Sequence, residues 1–295
     1  MVTTYRLHWK INERDANKTI KQFLQEQEIS RRALTKIKYS GGEINVNGKG
    51  VTVRYQLQTG DMLEVVFPPE TPSKHLQGEK LLIPILYEDE DILVLEKPSG
   101  ISSIPSREHR SGTVANAITW HYENNGENRQ IHIVTRLDRD TSGLMLVAKH
   151  RHAHHLLSKM QKNKEIERIY EAFASGVMQT SEGIIEAPIG RKETSIIERE
   201  VREDGQYACT RYKVLQQYYD FCHLRLQLVT GRTHQIRVHL SYYGHPLLGD
   251  DLYGGSQEKI TRQALHCCYL RLRHPLTKEE LVFRSRLPAD MVKLL

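Results

Sequence analysis

The amino-acid sequence predicts an α+β protein with a small N-terminal domain followed by a larger mixed domain. Apolar residues recur at helical spacing between residues 19 and 40 and alternate as in strands from 43 to 67. A proline-rich polar stretch runs from 68 to about 80, and mixed helix and strand patterns follow it to the C-terminus. The 295 residues, 39% apolar and 26% charged, are typical of an ordinary globular protein of this size. We therefore predict domains at 1–68 and 83–295, joined by a linker at 69–82.

The N-terminal domain is predicted to contain two helices and a hairpin. Ser30 is a plausible N-cap for the second helix, and the glycines at 41–42 end it. The alternating segment 43–46 leads into Asn47-Gly48, which favours a tight turn between strands, with further strands expected at 51–53 and 63–67. Arg31, Arg32 and Lys36 lie on the short second helix, where they form either a phosphate-contacting surface or an ordinary solvated helix face.

The larger domain alternates strands with helices. Segment 83–97 predicts an acidic turn and a strand that ends at Lys97, for which a surface position is the default. Helices are predicted at 113–122, at 150–164 and from about 235, and strands at 144–148, 165–176, 207–215, 221–228 and 269–287. The histidines near the start of the 150–164 helix, at 152, 154 and 155, are expected to face the surface or RNA.

A charged turn at 136–140 feeds directly into the apolar strand 144–148. Such a turn can hold a carboxylate, for example that of Asp138, at a fixed and only partly solvated position. That carboxylate would suit a nucleophile, a general base or a metal ligand, and the alternative is a salt-bridged turn without chemistry.

A second unusual stretch at 230–239 crowds Arg232, His234 and Arg237 at a glycine-initiated helix start. Guanidinium groups and backbone amides there suit a phosphate or a carboxylate. We predict that Arg232 pairs with Asp138 and keeps it ionised. Tyr170 lies earlier in the chain, on the strand predicted at 165–176, and a tyrosine there is more often half-buried packing than a catalytic group.

Composition restricts the partners and the compartment. The 42 Lys+Arg against 36 Asp+Glu give a net charge of +6, which favours a polyanionic partner such as RNA. The four cysteines lack C-x-x-C spacing, so we expect free, mostly buried thiols rather than a metal site. Since no apolar stretch is long enough for a membrane span and the N-terminus has no apolar signal core, we predict a cytoplasmic protein, with a monomer as the default.

The two central stretches, the tyrosine strand and the later motifs GHPLLGDDLYG and LHCCYLRLRHP resemble, in this order, the RNA pseudouridine synthase family of the large-ribosomal-subunit (RluA) type. The resemblance covers roughly residues 85–288. Residues 13–67 resemble the S4-type RNA-binding module. Together these resemblances imply a mainly antiparallel curved sheet flanked by helices, preceded by a small α/β S4-like domain.

The resemblance also implies roles for single residues. Asp138 matches the family's catalytic aspartate, and Tyr170 matches the tyrosine that packs on the target base and serves as base in the final proton transfer. Arg232 matches the arginine that pairs with the aspartate. Arg136 matches the arginine that takes the place of the flipped base, and Ile236 matches an apolar pocket residue.

Two positions depart from the family pattern. Thr135 stands where the family has histidine, so RNA contacts beside Arg136 are expected to differ. Arg168 stands where lysine is more frequent, which keeps the charge but changes its geometry.

The resemblance implies a cofactor-independent isomerase that converts uridine to pseudouridine in structured RNA. Large-subunit (23S) ribosomal RNA is the favoured substrate. The alternatives are a transfer-RNA synthase of the same family and a non-catalytic RNA-binding or ribosome-assembly protein. A glycosidase acting on free sugars is disfavoured, because the chain has only two tryptophans for sugar stacking.

Overall fold

The structure is a computed structural model that describes residues 4–73, 75–106 and 110–295. The first part is a four-stranded antiparallel sheet in the order β1-β4-β2-β3, with two helices against it. Its elements are β1 (Arg6–Lys10), α1 (Ile20–Glu26), α2 (Arg31–Tyr39), β2 (Glu43–Val46), β3 (Lys49–Gly50) and β4 (Met62–Val66).

The second part is built on a ten-stranded sheet. Eight strands follow one another in the order β10-β13-β14-β9-β15-β8-β6-β5, while β16 pairs with β15 and β7 with β8. Of these ladders, only β15–β8 is parallel. The strands are β5 (Ile85–Glu88), β6 (Ile92–Lys97), β7 (His132–Ile133), β8 (Ser142–Ala148), β9 (Glu167–Ser175), β10 (Glu182–Glu186), β13 (Cys209–Gln217), β14 (Phe221–Leu228), β15 (Leu265–Arg273) and β16 (Glu280–Arg284).

Helices and a small ribbon complete the second part. They are α3 (Val114–Asn124), α4 (Arg151–Lys162), α5 (Gln235–Tyr242), α6 (Ala289–Val292), the short 3-10 helix Asp251–Tyr253, and the pair β11 (Ile189–Arg191) and β12 (Arg199–Val201). The predicted α+β class with a mainly antiparallel sheet is therefore confirmed. In the described part of the chain, no helix combines the length and the apolar character needed to cross a bilayer.

Most local predictions are confirmed where a side chain determines the backbone. The Ser30 hydroxyl accepts the Ala33 N–H at 3.1 Å and caps α2. Asn47 and Gly48 both have positive φ, 52° and 76°, as a tight hairpin turn requires. The strand predicted at 51–53 is wrong, since β3 ends at Gly50 and the chain leaves β2 after the hydrogen bond from the Val51 N–H to the Ile44 carbonyl at 2.9 Å. Strand β1 was not predicted, because three of its five residues are polar or charged.

Each sheet has its own hydrophobic core. Ile20, Phe23 and Leu63 belong to a cluster in the N-terminal part, and Val94, Leu146 and many others form a larger cluster around the ten-stranded sheet. Separate cores agree with two folding units, but the boundaries at 68 and 83 stay a prediction.

The two parts meet at the start of α4, where the structure corrects one expectation. His152 is buried rather than surface-facing, with its ring centroid 5.4 Å from that of Phe67 and 6.5 Å from that of Tyr5. Burial lowers the pKa of His152 to about 4, and the neighbouring histidines add to this effect.

Buried neutral His152 predicts a loss of stability in acid. The unfolded chain takes up a proton near pH 6.5 and the folded chain only near pH 4, so stability is complete above the higher value and falls as the pH decreases between them. At pH 5 this group removes roughly 2 kcal/mol of unfolding free energy. Urea unfolding of the His152→Phe variant should show a smaller decrease from pH 7 to pH 5 than the wild type. The exposed His155, changed in the same way, is the matched control, and equal decreases in all three proteins would contradict the prediction.

Gly143 brings the charged turn against the middle of the sheet. It has φ +112° and lies beside Cys267 of β15, where an added Cβ would be 2.3 Å from the Cys267 carbonyl oxygen. Only glycine fits this contact without moving a strand. The turn at 136–140 is therefore held next to β15 and β9, the strand that carries Tyr170.

Candidate active site

A small cavity of about 80 Å³ opens where the charged turn, strand β9 and the start of α5 meet. It brings together all seven residues predicted from the two central stretches and the tyrosine strand. These residues are Arg136, Asp138, Tyr170, Arg232, His234, Ile236 and Arg237. Ile236 is buried and Arg136 is exposed, as an apolar wall and an arginine available to RNA would require.

The turn that carries Asp138 is fixed by hydrogen bonds on both sides. The Thr141 N–H donates to the Asp138 carbonyl at 3.2 Å. Ser103 accepts the Leu137 N–H at 3.1 Å and donates its hydroxyl to the Leu137 carbonyl at 2.6 Å. The Asp138 side chain stays 27% exposed, so its carboxylate remains accessible from the cavity.

The cation that pairs with Asp138 is Arg237, and the prediction that Arg232 does so is wrong. Arg237 Nη1 donates to Asp138 Oδ2 at 3.1 Å. The exposed Arg232 instead donates from Nε to the Tyr207 carbonyl at 3.0 Å. Arg232 precedes α5 in a loop and is directed toward β13, whereas Arg237 lies in the first turns of the helix on its buried face.

Arg237 is itself anchored by a buried carboxylate. Its Nε and Nη2 donate to the two oxygens of Asp250 at 2.7 and 2.8 Å, and the Asp250 side chain is fully buried. Burial opposes the charge of Arg237, but hydrogen bonds and charges of Asp250 and Asp138 raise its pKa above the ordinary arginine value. The guanidinium therefore links two carboxylates and stays positively charged.

Tyr170 is buried on β9 and lines the same cavity. Arg168 Nη1 donates to its hydroxyl at 3.3 Å, so the arginine that stands where lysine is more frequent contacts the tyrosine. Burial raises the pKa of the Tyr170 hydroxyl, and the charge of Arg168 opposes this effect only in part. The neutral phenol is therefore the form present in the free protein.

Thr135, the other departure from the family pattern, has a structural role. Its side chain is buried, and its hydroxyl accepts the Leu146 N–H at 2.9 Å. It thus ties the start of the charged turn to strand β8 and does not itself reach the surface beside Arg136.

Lys97 is buried at the end of β6, so the surface position expected for it is wrong. Its Nζ donates to the carbonyls of Pro98 and Ile101 at 2.8 Å and to that of Arg139 at 2.7 Å. Burial lowers the pKa of Lys97 to about 7, against the opposing effect of Asp140 and Asp138. Because Arg139 directly follows Asp138, the hydrogen bond from Lys97 to the Arg139 carbonyl fixes the backbone of the turn next to Asp138.

Replacing Lys97 by methionine is expected to destabilise the protein, because three carbonyls lose the buried ammonium group that donates to them. We expect a decrease of about 2 kcal/mol in unfolding free energy, measured as a lower urea midpoint with an unchanged slope. Lys10→Met, at an exposed position, is the matched control and should leave the midpoint within error. A Lys97→Met midpoint equal to that of the wild type would show that the carbonyls do not depend on the ammonium group.

Two residues of the site were missed from the sequence. Asp250 and Tyr253 were assigned only to turns, yet Asp250 binds Arg237 and the Tyr253 hydroxyl hydrogen-bonds His234 Nδ1 at 2.7 Å. The signal available was their position in GHPLLGDDLYG, one of the motifs that carry the family resemblance.

The predicted RNA-binding residues outside the cavity lie on α2. Arg31 and Arg32 occupy its first turn and are exposed, while Lys36 lies one turn further along and is half-buried. Their contact with RNA stays a prediction.

Within the described ranges, Asp89, Asp91 and His274 form a cluster with the composition of a metal site. His274 Nδ1 accepts the N–H groups of Leu276 and Thr277 at 3.3 and 3.0 Å. The ring proton must therefore be on Nε2, which faces Asp89 at 3.1 Å and has no lone pair to offer a metal. The cluster is best described as an electrostatic contact between His274 and an acidic turn, in which Nε2 makes no hydrogen bond within the described part of the chain.

The chain is similar to RNA pseudouridine synthases over most of its length. A family model described as RNA pseudouridylate synthase matches residues 91–242, slightly more than half of the chain. An uncharacterized RNA pseudouridine synthase of Bacillus subtilis, YjbO, is 53% identical over 94% of this chain and 98% of its own. Ribosomal large subunit pseudouridine synthase D of Pasteurella multocida is 40% identical over 85% of this chain and 82% of its own.

A solved structure supports the same assignment. Human RNA pseudouridylate synthase domain containing 1 matches with a TM-score of 0.59 and 26% identity, over 72% of this chain and 89% of its own. The matched family region includes the charged turn, the tyrosine strand and all of α5, which together line the cavity. The chain belongs to the RNA pseudouridylate synthase family of the large-ribosomal-subunit (RluA) type, and it is an isomerase that acts on RNA.

Proposed function

We propose that the chain isomerises specific uridines of large-subunit ribosomal RNA, with Asp138 as the nucleophile. The observation that carries this proposal is the accessible Asp138 carboxylate, which a buried arginine keeps paired in a cavity also lined by Tyr170. A nucleophile must be ionised and accessible to its substrate. Arg237 binds one oxygen of the Asp138 carboxylate, and the carboxylate lines the cavity.

In the proposed reaction, the bond from ribose C1′ to a uracil nitrogen is replaced by a bond from C1′ to a uracil carbon. The bond between uracil N1 and ribose C1′ breaks, the base turns, and C5 is joined to C1′. C5 then loses its proton to solvent and N1 gains one, so the product is an isomer of the substrate and nothing is oxidised or reduced. Asp138 forms a temporary covalent bond, either to the sugar or to the ring, and is released when the new bond forms. Both routes use the same carboxylate, and neither needs a cofactor.

We assign Tyr170 to packing against the target base. Burial favours its neutral phenol, and a neutral phenol suits stacking better than proton removal from C5. A role as base requires loss of the phenol proton after RNA has bound, for which Arg168 is the nearby positive charge.

RNA binding involves two separate surfaces. Extracting a base from folded RNA costs a few kcal/mol of stacking, and the exposed Arg136 at the cavity entrance is placed to occupy the gap. Arg31, Arg32 and Lys36 on α2 contact phosphates, in a part of the chain that we propose to be an S4-like domain. The name of the Pasteurella relative, which specifies the large ribosomal subunit, favours ribosomal RNA over transfer RNA. We also expect a cytoplasmic monomer, which gel filtration and cell fractionation would test.

The test is tritium release from uracil labelled at C5, since only that proton is lost in the reaction. Purified protein should release tritium from large-subunit ribosomal RNA and not from small-subunit or transfer RNA. The modified positions should disappear from ribosomal RNA of cells that lack the gene. Release from transfer RNA alone would overturn the proposed target, and release from no transcript would support an RNA-binding protein without activity.

A further inference from the structure

His234 occupies a strained backbone position at the edge of the cavity. Its φ of 56° is left-handed, which is uncommon for a residue other than glycine. It is the N-cap of α5, yet its side chain makes no capping hydrogen bond. The imidazole is instead turned into the cavity, where it is 12% exposed. Strain of this kind persists where the side chain is needed in a particular direction.

The hydrogen bonds of Tyr253 determine which nitrogen of His234 carries the proton. The Tyr253 hydroxyl accepts the Arg199 N–H at 2.9 Å and lies 2.7 Å from His234 Nδ1. Among the described residues, His234 Nδ1 is the only hydrogen-bond acceptor found for the Tyr253 hydroxyl, which itself accepts from Arg199, so the phenol proton is directed at Nδ1. Nδ1 is therefore the acceptor, and a neutral His234 carries its proton on Nε2.

The environment of His234 favours the neutral imidazole. Burial lowers the pKa of His234, although the charge of Asp138 opposes the effect. Arg237 is also close by, with its guanidinium carbon 4.8 Å from the centre of the Tyr253 ring. A second positive charge beside Arg237 would be repelled, so the imidazole stays neutral.

Nε2 of His234 faces the same carboxylate oxygen that Arg237 binds. It lies 3.9 Å from Asp138 Oδ2, and Arg237 Nη1 lies 3.1 Å from that oxygen. Among the described residues, no hydrogen bond is made to the other oxygen, Oδ1. Two donors on one side therefore leave Oδ1 as the oxygen directed at substrate.

We propose that His234 is a positioning residue whose Nε2–H orients the Asp138 carboxylate, and that Tyr253 fixes the tautomer in which this proton is present. The proposal rests on Asp138 being the nucleophile. It assigns to Tyr253, which lies outside the cavity lining, a specific effect on the reaction. When RNA closes the site, the 3.9 Å gap shortens to a hydrogen bond, and the neutral donor stabilises the carboxylate without neutralising it.

Two isosteric substitutions separate this role from a purely structural one. The side-chain nitrogen of glutamine can replace Nε2, whereas that of asparagine can replace only Nδ1. Asparagine tolerates a left-handed backbone better than glutamine does. If His234 had only a structural role, His234→Asn would be the more stable variant and at least as active as His234→Gln. The positioning role predicts instead that His234→Gln has the higher kcat.

We expect His234→Gln to keep kcat within about fivefold of the wild type and His234→Asn to lose roughly 10- to 100-fold, with similar KM values. Activity of the asparagine variant equal to or above that of the glutamine variant would overturn the proposal. A wild type without any activity would instead refute the proposed function, and the tautomer measurement below would still apply.

The tautomer is measured by nitrogen-15 NMR of histidine in the full-length protein. In the wild type, His234 Nδ1 should give the shift of an unprotonated ring nitrogen and Nε2 that of a protonated one. Tyr253→Phe should move both shifts toward a mixture and lower kcat roughly three- to tenfold. Tyr242→Phe, on the exposed side of α5, is the control and should change neither. A protonated Nδ1 in the wild type would overturn the proposal even if Tyr253→Phe failed to fold.

Discussion

Replacing Asp138 by asparagine is expected to abolish tritium release while leaving the protein folded. The amide has nearly the same shape as the carboxylate but cannot form the covalent bond to the nucleotide, so we expect a loss of roughly a thousandfold or more in kcat. RNA binding, measured by filter retention at fixed salt, should change little, because a single partly exposed carboxylate contributes no phosphate contact. The fold should persist because Arg237 keeps both hydrogen bonds to Asp250.

The matched control is Asp140→Asn, two residues further along the same turn. The Asp140 carboxylate contacts the exposed side chain of Arg139 and does not line the cavity. Its replacement should leave kcat within about threefold of the wild type, as expected for an exposed ion pair. If Asp138→Asn kept more than a tenth of the wild-type kcat, the proposed nucleophile would be wrong.

Replacing Arg237 by methionine should have the largest effect on stability. The fully buried Asp250 would lose its bidentate partner, and Asp138 would lose its salt bridge at the same time. Leaving a buried carboxylate without a cation costs about 3–5 kcal/mol of unfolding free energy. Urea unfolding should show this decrease, and tritium release should fall in any protein that remains folded.

Two further variants test whether the buried charge is the cause. The double variant Arg237→Met with Asp250→Asn removes the unpaired charge and should recover part of the lost stability, although not the activity. Arg232→Met changes an exposed arginine and should lower the unfolding free energy by less than about 0.5 kcal/mol. Equal losses for Arg232→Met and Arg237→Met would contradict the observed pairing with Asp138.

The same contacts explain why one charged turn can support chemistry. Lys97 holds the Arg139 carbonyl, Ser103 holds both backbone groups of Leu137, and Gly143 lets β8 approach β15. Asp138 lies between these fixed points, so its carboxylate has little freedom beyond rotation of its own side chain. Preorganisation of this kind reduces the cost of placing the nucleophile at the reacting atom.

The sequence by itself determined the local structure and the candidate nucleophile. Helical and alternating apolar patterns predicted α2, α4, β9 and β14, because these periods depend on neighbouring residues alone. Asp138 was a candidate already from the charged turn that carries it, whereas Tyr170 was assigned to the site only through the family resemblance.

Only the tertiary structure decided which distant side chains meet. Asp138 and its arginine are 99 residues apart, and the two candidate arginines are separated by only five positions in one motif. Their roles were distinguished by the direction of α5, which turns Arg237 inward and leaves Arg232 at the surface. The burial of Lys97 and His152 likewise depends on which elements cover them. Local sequence periodicity carries no information about that covering, because it arises from the order of strands in the sheet and from contacts between separate parts of the chain.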